Sequence, residues 1–248
     1  MQELERQYHI ACTGEDVGRY CILPGDPGRV PAIAALFDDA RQVACNREYN
    51  VWTGTLLGQK VTACSTGIGG PSAAIAMEEL HKCGADTFIR TGTCGGMQPD
   101  VTAGSLIIAT GACREEGVTE KMIPLSYPAI ADGEVVAALT ASARALDIPV
   151  HKGIVLTQAL FYPGFLESTV KLYAKAGVKA MENEVASLLV VASLHGVKAG
   201  AIIAADAPAF ELVGVDGYNQ TADDDAVAQA VENEISIALD AIVQVPLD

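Results

Sequence analysis

The amino-acid sequence predicts an α/β protein, a single domain over residues 1–248 in which helices flank a mixed central β-sheet. Short apolar runs typical of buried strands alternate along the chain with amphipathic stretches of helical period. Half of the 248 residues are hydrophobic, which is enough for a large core. No internal repeat, linker or low-complexity segment divides the chain, so we expect one folded unit.

The N-terminal part of the chain predicts strands that end in glycine-rich turns. A strand over 19–23 leads into the turn Pro24-Gly25-Asp26-Pro27-Gly28-Arg29, which starts a helix that continues to Leu36. A second helix over 72–83 places Leu80 on its apolar face and Glu79 on its polar face. The other strands predicted here are 40–45, 49–56, 60–65 and 87–91.

The remainder of the chain continues the alternation of strands and helices. A long irregular stretch over 114–131 contains two prolines and is a candidate wall of an active site. The predicted strands are 104–110, 152–157, 178–181 and 198–205, and the predicted helices are 133–146, 166–176, 185–195 and 223–243. In such sheets ligands bind at the carboxyl ends of the strands, which is where we expect the functional residues to meet.

The charge and composition of the chain exclude several classes of function. A formal net charge of −15 argues against nucleic acid and anionic membranes as partners, because both need a basic surface. No apolar run is long enough to span a bilayer, and the polar start of the chain lacks the apolar segment of a signal peptide. Seven cysteines without a Cys-x-x-Cys pair are most simply free thiols. These features predict a cytoplasmic protein.

The stretch over 88–96, Phe-Ile-Arg-Thr-Gly-Thr-Cys-Gly-Gly, is the strongest candidate for a binding site. It begins as an apolar strand and continues into glycines, which let a turn bring backbone N–H groups close to a ligand. Arg90 adds a planar set of donors that suits phosphate or carboxylate, and Thr91 and Thr93 add hydroxyls. These groups predict an oxyanion pocket, with a tight turn carrying a surface arginine as the alternative.

Other candidate residues also follow predicted strands. The turns over 24–29 and 66–71 are rich in glycine, but neither matches a Walker loop or the Gly-x-Gly-x-x-Gly pattern. Phe161, the run Glu182-Asn183-Glu184 and Asp206 are expected at the same edge of the sheet. His9 is interpreted as a solvated residue of the N-terminal tail, and four scattered histidines do not have the spacing of a metal site.

Five motifs, in this order, resemble those of nucleoside phosphorylases of the uridine phosphorylase and hexameric purine nucleoside phosphorylase type. They are Gly25-Asp26-Pro27-Gly28-Arg29, Asn46-Arg47-Glu48, Ser65-Thr66-Gly67-Ile68-Gly69-Gly70-Pro71, Arg90-Thr91-Gly92-Thr93-Cys94-Gly95 and Met181-Glu182-Asn183-Glu184. The resemblance covers nearly the whole chain and implies the nucleoside phosphorylase fold. It also implies a reaction in which inorganic phosphate, as co-substrate and with no further cofactor, cleaves a nucleoside into free base and ribose 1-phosphate.

The resemblance further implies a phosphate site and an oligomer. Arg90 is implied to be catalytic, together with Glu184 and Asp206. Arg47 is implied to reach the site from a neighbouring subunit, so a homodimer is the implied minimal active unit and a homohexamer the implied assembly. The residues implied to bind phosphate are Gly25, Arg29, Arg47, Arg90 and Thr93.

The resemblance also assigns residues to the sugar and the base. His9 is implied to cross the same interface to the ribose 5′-hydroxyl, which replaces its interpretation as a tail residue. Glu184 is implied to hold the ribose hydroxyls, with Glu182 and Asn183 beside it. The residues implied to contact the base are Cys94, Gly95, Phe161 and Asp206.

The chain departs from the uridine phosphorylase pattern where the base is read. Uridine phosphorylases carry a glutamine and an arginine just after the Phe-Tyr-Pro-Gly turn, whereas Phe165-Leu166-Glu167 stands here. Asp206 instead is similar to the aspartate that faces the purine imidazole in the purine nucleoside phosphorylases of apicomplexan parasites. The resemblance therefore favours 6-oxopurine nucleosides, with a helix or turn cap before Pro208 as the alternative role of Asp206. Asn183 stands where the family usually has a methionine.

Several alternatives remain at this point. The chain could be a uridine phosphorylase that reads uracil with other groups, or a nucleosidase in which water replaces phosphate. A non-catalytic nucleoside-binding protein is a third alternative, although it would not need Glu184, Arg90 and His9 together. A fourth gives Cys94 the role of a covalent nucleophile, with its thiol pKa lowered by Arg90.

Overall fold

The computed structural model describes residues 5–162, 164–209 and 224–247. Within them, the strands form one mixed sheet with helices packed on both of its faces, which confirms the predicted fold class. The strands are β1 Tyr20–Pro24, β2 Asp38–Asn46, β3 Tyr49–Leu56, β4 Gln59–Cys64, β5 Thr87–Gly96, β6 Leu106–Glu115, β7 Ala129–Ile130, β8 His151–Gln158, β9 Ala180–Glu182 and β10 Lys198–Pro208. The helices are α1 Val30–Ala34, α2 Gly70–Lys82, α3 Gly133–Ala145, α4 Val170–Lys175, α5 Val185–His195 and α6 Asp224–Ile242, with a 3-10 turn at Thr119–Lys121.

The strands follow the spatial order β10-β6-β8-β9-β5-β1-β4-β3-β2, with β7 paired to β6. Strand β5 also pairs with β10, so β5, β10, β6, β8 and β9 close into a ring. Strand β5 runs parallel to β1 and β10 and antiparallel to β9. The carboxyl ends of β1, β5 and β10 therefore meet at one edge of the sheet, as predicted.

The hydrophobic core lies on both faces of the sheet. Helices α2 and α5 cover one face, and α1, α3 and α6 cover the other. Neighbouring side chains of β5 point to opposite faces, so Phe88 packs with the first layer and Ile89 with the second. A strand covered on both faces favours apolar residues at successive positions, which explains the continuous apolar runs in the sequence.

The glycines after Arg90 belong to a strand, so the prediction of a glycine-rich turn after residue 91 is wrong. Strand β5 continues to Gly96 because β10 remains paired with it throughout, and β9 pairs with its last two residues. A Cβ atom built on Gly96 would lie 2.1 Å from the Val101 carbonyl oxygen. The glycine therefore permits the loop that follows β5 to approach the strand closely.

Two other predictions of secondary structure differ from the observed elements. Helix α4 begins at Val170 rather than at residue 166, and Leu166 is exposed. The stretch over 114–131, predicted to be irregular, contains the 3-10 turn and β7. Helix α6 is described from Asp224, so residue 223 of its predicted span lies outside the described residues.

Among the described helices, no stretch has the length and apolar character needed to cross a bilayer.

Candidate active site

A cavity of about 600 Å³ opens at the carboxyl ends of the strands. Its wall includes residues that are far apart in sequence, because β1, β5, β9 and β10 all end there. Two predicted site residues, His9 and Arg47, are absent from this wall. The predicted site residues that line the cavity are Gly25, Arg29, Arg90, Thr93, Cys94, Gly95, Phe161, Glu182, Asn183, Glu184 and Asp206.

Arg90 lies at the floor of the cavity and is buried. Its Nη2 atom pairs with the Glu184 carboxylate, and its Nε atom lies 3.4 Å from Glu182 Oε2. Burial alone would lower the pKa of Arg90, but the adjacent carboxylates of Glu184 and Glu182 reverse this effect and raise the pKa. The Nη1 atom has no hydrogen-bond partner among the described residues. A buried charged donor without a partner is available to an anion.

Gly25 lies next to this unpaired donor. A Cβ atom built on Gly25 would lie 3.7 Å from Arg90 Nη1 and 3.4 Å from the Gly67 carbonyl oxygen. The missing side chain therefore leaves room beside the guanidinium. Arg29, at the start of α1, faces the same cavity and brings a second guanidinium to this end.

The two glutamates that follow β9 have different environments. Glu182 Oε2 accepts hydrogen bonds from the backbone N–H groups of Glu184, at 2.7 Å, and Val185, at 2.9 Å, and so caps α5. Its Oε1 accepts from the Thr157 hydroxyl at 2.6 Å, and burial raises the pKa of this carboxyl. Glu184 accepts from the Gly69 backbone N–H and from Arg90. Glu184 is therefore held at the cavity wall between α2 and β5.

Asp206 reaches the cavity from a β-bulge. Ala205 pairs with Cys94 and Ala207 pairs with Gly95, so Asp206 is the extra residue of β10 at this point. A bulge re-aims the side chain of its extra residue while the ladder continues on both sides. The strand runs on to Pro208. The alternative role of Asp206, a helix or turn cap before Pro208, stays a prediction.

The outer part of the cavity is apolar and more exposed. Leu160 and Phe161 line it, and the side chain of Phe161 is about half exposed. Phe165 and Leu166, in the segment that lacks the glutamine and arginine of uridine phosphorylases, are fully exposed. Asn183 donates a hydrogen bond from Nδ2 to the Gln158 carbonyl oxygen at 2.6 Å and so fastens the end of β8, from which this segment departs.

Cys94 is buried in the cavity wall. Burial raises the pKa of its thiol well above the usual value, and the nearby Asp206 carboxylate raises it further. The neighbouring Arg90 acts in the opposite direction but does not prevail. The hypothesis of a thiol pKa lowered for nucleophilic attack is therefore wrong. None of the seven cysteines, all of which lie in the described ranges, forms a disulfide.

His9 is held in place by α2, so its interpretation as a solvated tail residue is wrong. Its Nδ1 atom lies 2.6 Å from Glu79 Oε1, and Glu79 Oε2 accepts from the backbone N–H groups of His9 and Ile10 at 2.9 and 2.8 Å. Glu79, predicted on the polar face of α2, is buried because the segment around Ile10 covers it. Glu79, which positions His9, was not among the predicted site residues.

Arg47 lies close to His9 although the two are distant in sequence. Its guanidinium lies 5.9 Å from the ring centroid of Tyr8, and the Asn46 amide donates to the His9 carbonyl oxygen at 2.7 Å. His9 and Arg47 thus share one surface region outside the cavity wall of their own chain. The two residues predicted to act in a neighbouring subunit therefore lie together on the surface of this chain.

Two further carboxylates at the site were not predicted. Glu48 lines the cavity and accepts from the Ser72 hydroxyl at 2.8 Å. Glu234 of α6 is completely buried below Arg29 and Gly92. Its spacing of four residues from both Ala230 and Ala238, which are buried, places it on the apolar face of the helix. A carboxylate on an otherwise apolar helix face was the signal from which the sequence could have identified Glu234 as a site residue.

Comparisons with known proteins agree with the resemblance. The chain matches the family described as "Phosphorylase superfamily" over residues 19–244. It is 45% identical over 210 residues to a uridine phosphorylase of Thermococcus kodakarensis, covering 80% of this chain and 76% of the relative. A guanosine phosphorylase of Halorubrum lacusprofundi is 38% identical over 242 residues, or 96% of this chain and 99% of that protein. The crystal structure of purine nucleoside phosphorylase from Toxoplasma gondii in complex with immucillin-H has a TM-score of 0.90 at 32% identity, with 98% of both chains covered.

Proposed function

Because the chain belongs to the phosphorylase superfamily and its relatives are nucleoside phosphorylases, we propose that it cleaves the N-glycosidic bond of nucleosides with inorganic phosphate. The products are a free base and ribose 1-phosphate. We propose 6-oxopurine nucleosides as the preferred substrates. The observation that carries the reaction is the buried Arg90, which lines the cavity together with the Glu184 carboxylate and has an unpaired Nη1 atom beside Gly25.

The phosphate is the nucleophile, so the protein has to hold an anion beneath C1′ of the ribose and needs no covalent residue. Arg90 Nη1 and the Arg29 guanidinium supply charge at one end of the cavity, beside the open space at Gly25. Thr93 adds a hydroxyl at the same end. Donors that are already in place stabilise the charge of the transition state without further reorganisation.

The sugar lies between the phosphate and the base, next to Glu184. The displacement passes through a transition state with oxocarbenium character, as in glycoside hydrolysis. Glu184 holds the ribose hydroxyls, and its negative charge also stabilises positive charge that develops on the sugar ring. Glu182, which caps α5 and contacts Arg90, fixes the backbone from which Glu184 and Asn183 extend.

The leaving base lies in the outer, more apolar part of the cavity. Phe161 packs against the base and sugar, and Cys94 and Gly95 form the wall beside them. Asp206, directed inward by its bulge, hydrogen-bonds or protonates N7 of a purine and so stabilises the departing base. Pyrimidines have no N7, which is the reason that we favour purine substrates.

Uridine is the second candidate substrate. The relative in Thermococcus kodakarensis, at 45% identity, is named a uridine phosphorylase. Against uridine stands the segment around Phe165 and Leu166, which offers apolar side chains in place of the glutamine and arginine that read uracil. A hydrolytic nucleosidase is less well supported, because an enzyme that uses water as the nucleophile does not need Arg29 and Arg90 to hold a phosphate anion. A non-catalytic binding protein would not need those arginines together with Glu184.

We propose that a homodimer is the minimal active unit and that dimers assemble into a homohexamer. His9 and Arg47 lie together on one surface region and away from their own cavity, as required of residues that serve a neighbouring subunit. His9 then reaches the ribose 5′-hydroxyl and Arg47 the phosphate of the partner's site.

The free thiols of all seven cysteines support a reducing, cytoplasmic location.

The deciding experiment measures product formation from inosine, guanosine, adenosine and uridine, each with and without phosphate. We expect phosphate-dependent release of hypoxanthine and guanine. Phosphate-dependent release of uracil alone would retain the reaction and overturn the substrate preference. Release of any base at the same rate without phosphate would identify a nucleosidase and overturn the phosphate site.

A further inference from the structure

Glu234 is a buried carboxylate with few compensating contacts. Its side chain has no exposed surface. Oε2 accepts from the Gly92 backbone N–H at 3.3 Å, and Oε1 lies 3.5 Å from Arg29 Nη1. Both distances are at the long end of the range for hydrogen bonds, so the contacts only partly offset the loss of hydration.

We call the proposed phosphate site, formed by Arg29, Arg90 and Thr93 beside Gly25, the phosphate cradle. The positive and negative charges around it do not balance when all of the groups are ionised. The guanidiniums of Arg29 and Arg90 are in contact with three buried carboxylates, those of Glu182, Glu184 and Glu234. These five groups carry one net negative charge before any phosphate is present. A phosphate anion adds more negative charge to the same buried region, where repulsion is strong. A proton on one carboxylate would remove the imbalance.

We propose that anion binding in the phosphate cradle is linked to protonation of Glu234, so that phosphate binds tightly only when this carboxyl is neutral. The inference rests on the proposed phosphate site. The proton comes from the solvent and joins Oε1, since Oε2 is occupied by the Gly92 N–H. Loss of the charge on Oε1 releases Arg29 Nη1 from a competing anion and leaves the guanidinium to the phosphate.

Glu234 is better suited to this role than the neighbouring carboxyls. Burial raises the pKa of Glu182, but this carboxylate accepts three hydrogen bonds, from Thr157 and from two backbone N–H groups, which oppose that effect. Glu184 is in direct contact with Arg90 and the Gly69 N–H. Glu234 has weaker partners, and burial raises its pKa to about 8, against the opposing effects of Arg29, the Gly92 N–H and Arg90.

The groups that face Glu234 come from several elements. They are Arg29 at the start of α1, Arg90, Cys94 and the Gly92 N–H on β5, and the Ala204 N–H on β10. The arginines are charged at every pH of interest, and burial raises the pKa of the Cys94 thiol well above its usual value. Of these groups, Glu234 is the one that we expect to gain or lose a proton near pH 8.

The test uses sulfate as a probe, because sulfate is a dianion that does not itself titrate near neutral pH. Isothermal calorimetry of the full-length protein, in two buffers of different ionisation enthalpy, gives the number of protons taken up per sulfate bound. We expect uptake that approaches one proton per site at about pH 9 and little uptake at about pH 6.5, where Glu234 is already neutral. The sulfate dissociation constant should rise about tenfold between about pH 7 and pH 9.

Glu234→Gln is the central variant, and Glu232→Gln, at an exposed position of the same helix, is its matched control. Glu234→Gln should bind sulfate with the same affinity at both pH values and without proton uptake, whereas Glu232→Gln should behave as the wild-type protein. An unchanged pH dependence in Glu234→Gln would overturn the inference, because a purely structural carboxylate does not determine proton uptake.

The wild-type measurement decides the matter even where the variant fails to fold. Sulfate binding without proton uptake at about pH 9 would overturn the linkage and leave the phosphate site intact. Absence of sulfate binding at every pH would overturn the phosphate site and the linkage together. Inorganic phosphate, used in a second series, should show the same difference between wild type and Glu234→Gln.

Discussion

Arg90 and Glu184 form a buried ion pair across the floor of the cavity, between β5 and the residue that precedes α5. The pair joins the proposed phosphate end of the site to the proposed sugar end. Because Glu184 also accepts from the Gly69 N–H, the start of α2 is fixed to the same point. Truncation of Arg90 leaves the buried Glu184 carboxylate with the Gly69 N–H as its remaining described partner, which lowers stability, whereas truncation of Glu184 leaves Arg90 in contact with Glu182.

Substitution of Arg90 should affect catalysis far more than substitution of Cys94. Arg90→Ala removes the unpaired donor at Nη1, and we expect kcat/KM for phosphorolysis to fall at least about 100-fold. Cys94→Ala removes only a buried thiol and should retain most activity. Steady-state kinetics with saturating nucleoside and varied phosphate measure both. Loss of activity in Cys94→Ala with retention in Arg90→Ala would refute the assignment.

Asp206→Asn should discriminate between purine and pyrimidine nucleosides. The amide keeps the size of the side chain at the bulge but cannot donate a proton to N7 as an acid does, so we expect kcat for inosine to fall about 100-fold or more. Any residual activity on uridine should change little and serves as the internal control. An equal fall for both substrates would show that Asp206 acts on the sugar or the fold instead.

A site shared between subunits predicts complementation of inactive variants. Arg90→Ala disables a subunit's own cavity, whereas Arg47→Ala disables the cavity of its partner. In a mixed dimer one site carries both defects and the other carries none. Co-expression of the two variants should therefore restore roughly a quarter of the wild-type activity, since half of randomly formed dimers are mixed. Each variant expressed alone is the control, and no recovery would place Arg47 outside the partner's site.

Gly25→Ala should weaken phosphate binding specifically. The added Cβ would lie 3.7 Å from Arg90 Nη1 and would occupy space that the anion needs. We expect KM for phosphate to rise about tenfold, which corresponds to about 1.4 kcal/mol, with a smaller effect on KM for the nucleoside. Gly133→Ala, where an added Cβ has no neighbour within 4 Å, is the matched control. Equal effects of the two changes would argue against a cradle at Gly25.

The pH dependence of stability should report the burial of Glu234. Its pKa is about 8 in the folded protein and near 4.5 in a model peptide, so the unfolded chain holds fewer protons between these values. The free energy of unfolding therefore decreases as pH rises through this window, by a few kcal/mol in order of magnitude. Denaturant titration at about pH 5.5 and pH 8.5 should show this decrease in the wild type and a smaller one in Glu234→Gln. Equal decreases in both proteins would contradict the burial effect.

The positions of most site residues were predictable because strand ends in a sheet of this kind meet at one edge. Glu184 and Phe161 follow predicted strands, and both line the cavity as expected. The glycines of β5 were misassigned because local sequence does not reveal which strands pair with them, and β10 and β9 do so here. The backbone N–H groups expected there as free donors are largely used in the sheet.

Other features depended on tertiary contacts that sequence spacing does not encode. The bulge at Asp206 arises from the register between β10 and β5, which only the paired strands define. The segment that covers Glu79 comes from near Ile10, far away in sequence. Glu234 could have been found from its position on an apolar helix face, but its contact with Arg29 could not.

The bulge in β10 separates Asp206, the residue that we propose contacts the base, from the residues that hold the sheet together. Ala205 and Ala207 keep their pairing with β5, while Asp206 takes no part in this ladder. A substitution at this one position can therefore alter base selectivity with little cost to the pairing of the strands. On the proposed role of Asp206, the scaffold can evolve from one nucleoside substrate to another through single substitutions while the pairing of the sheet is kept.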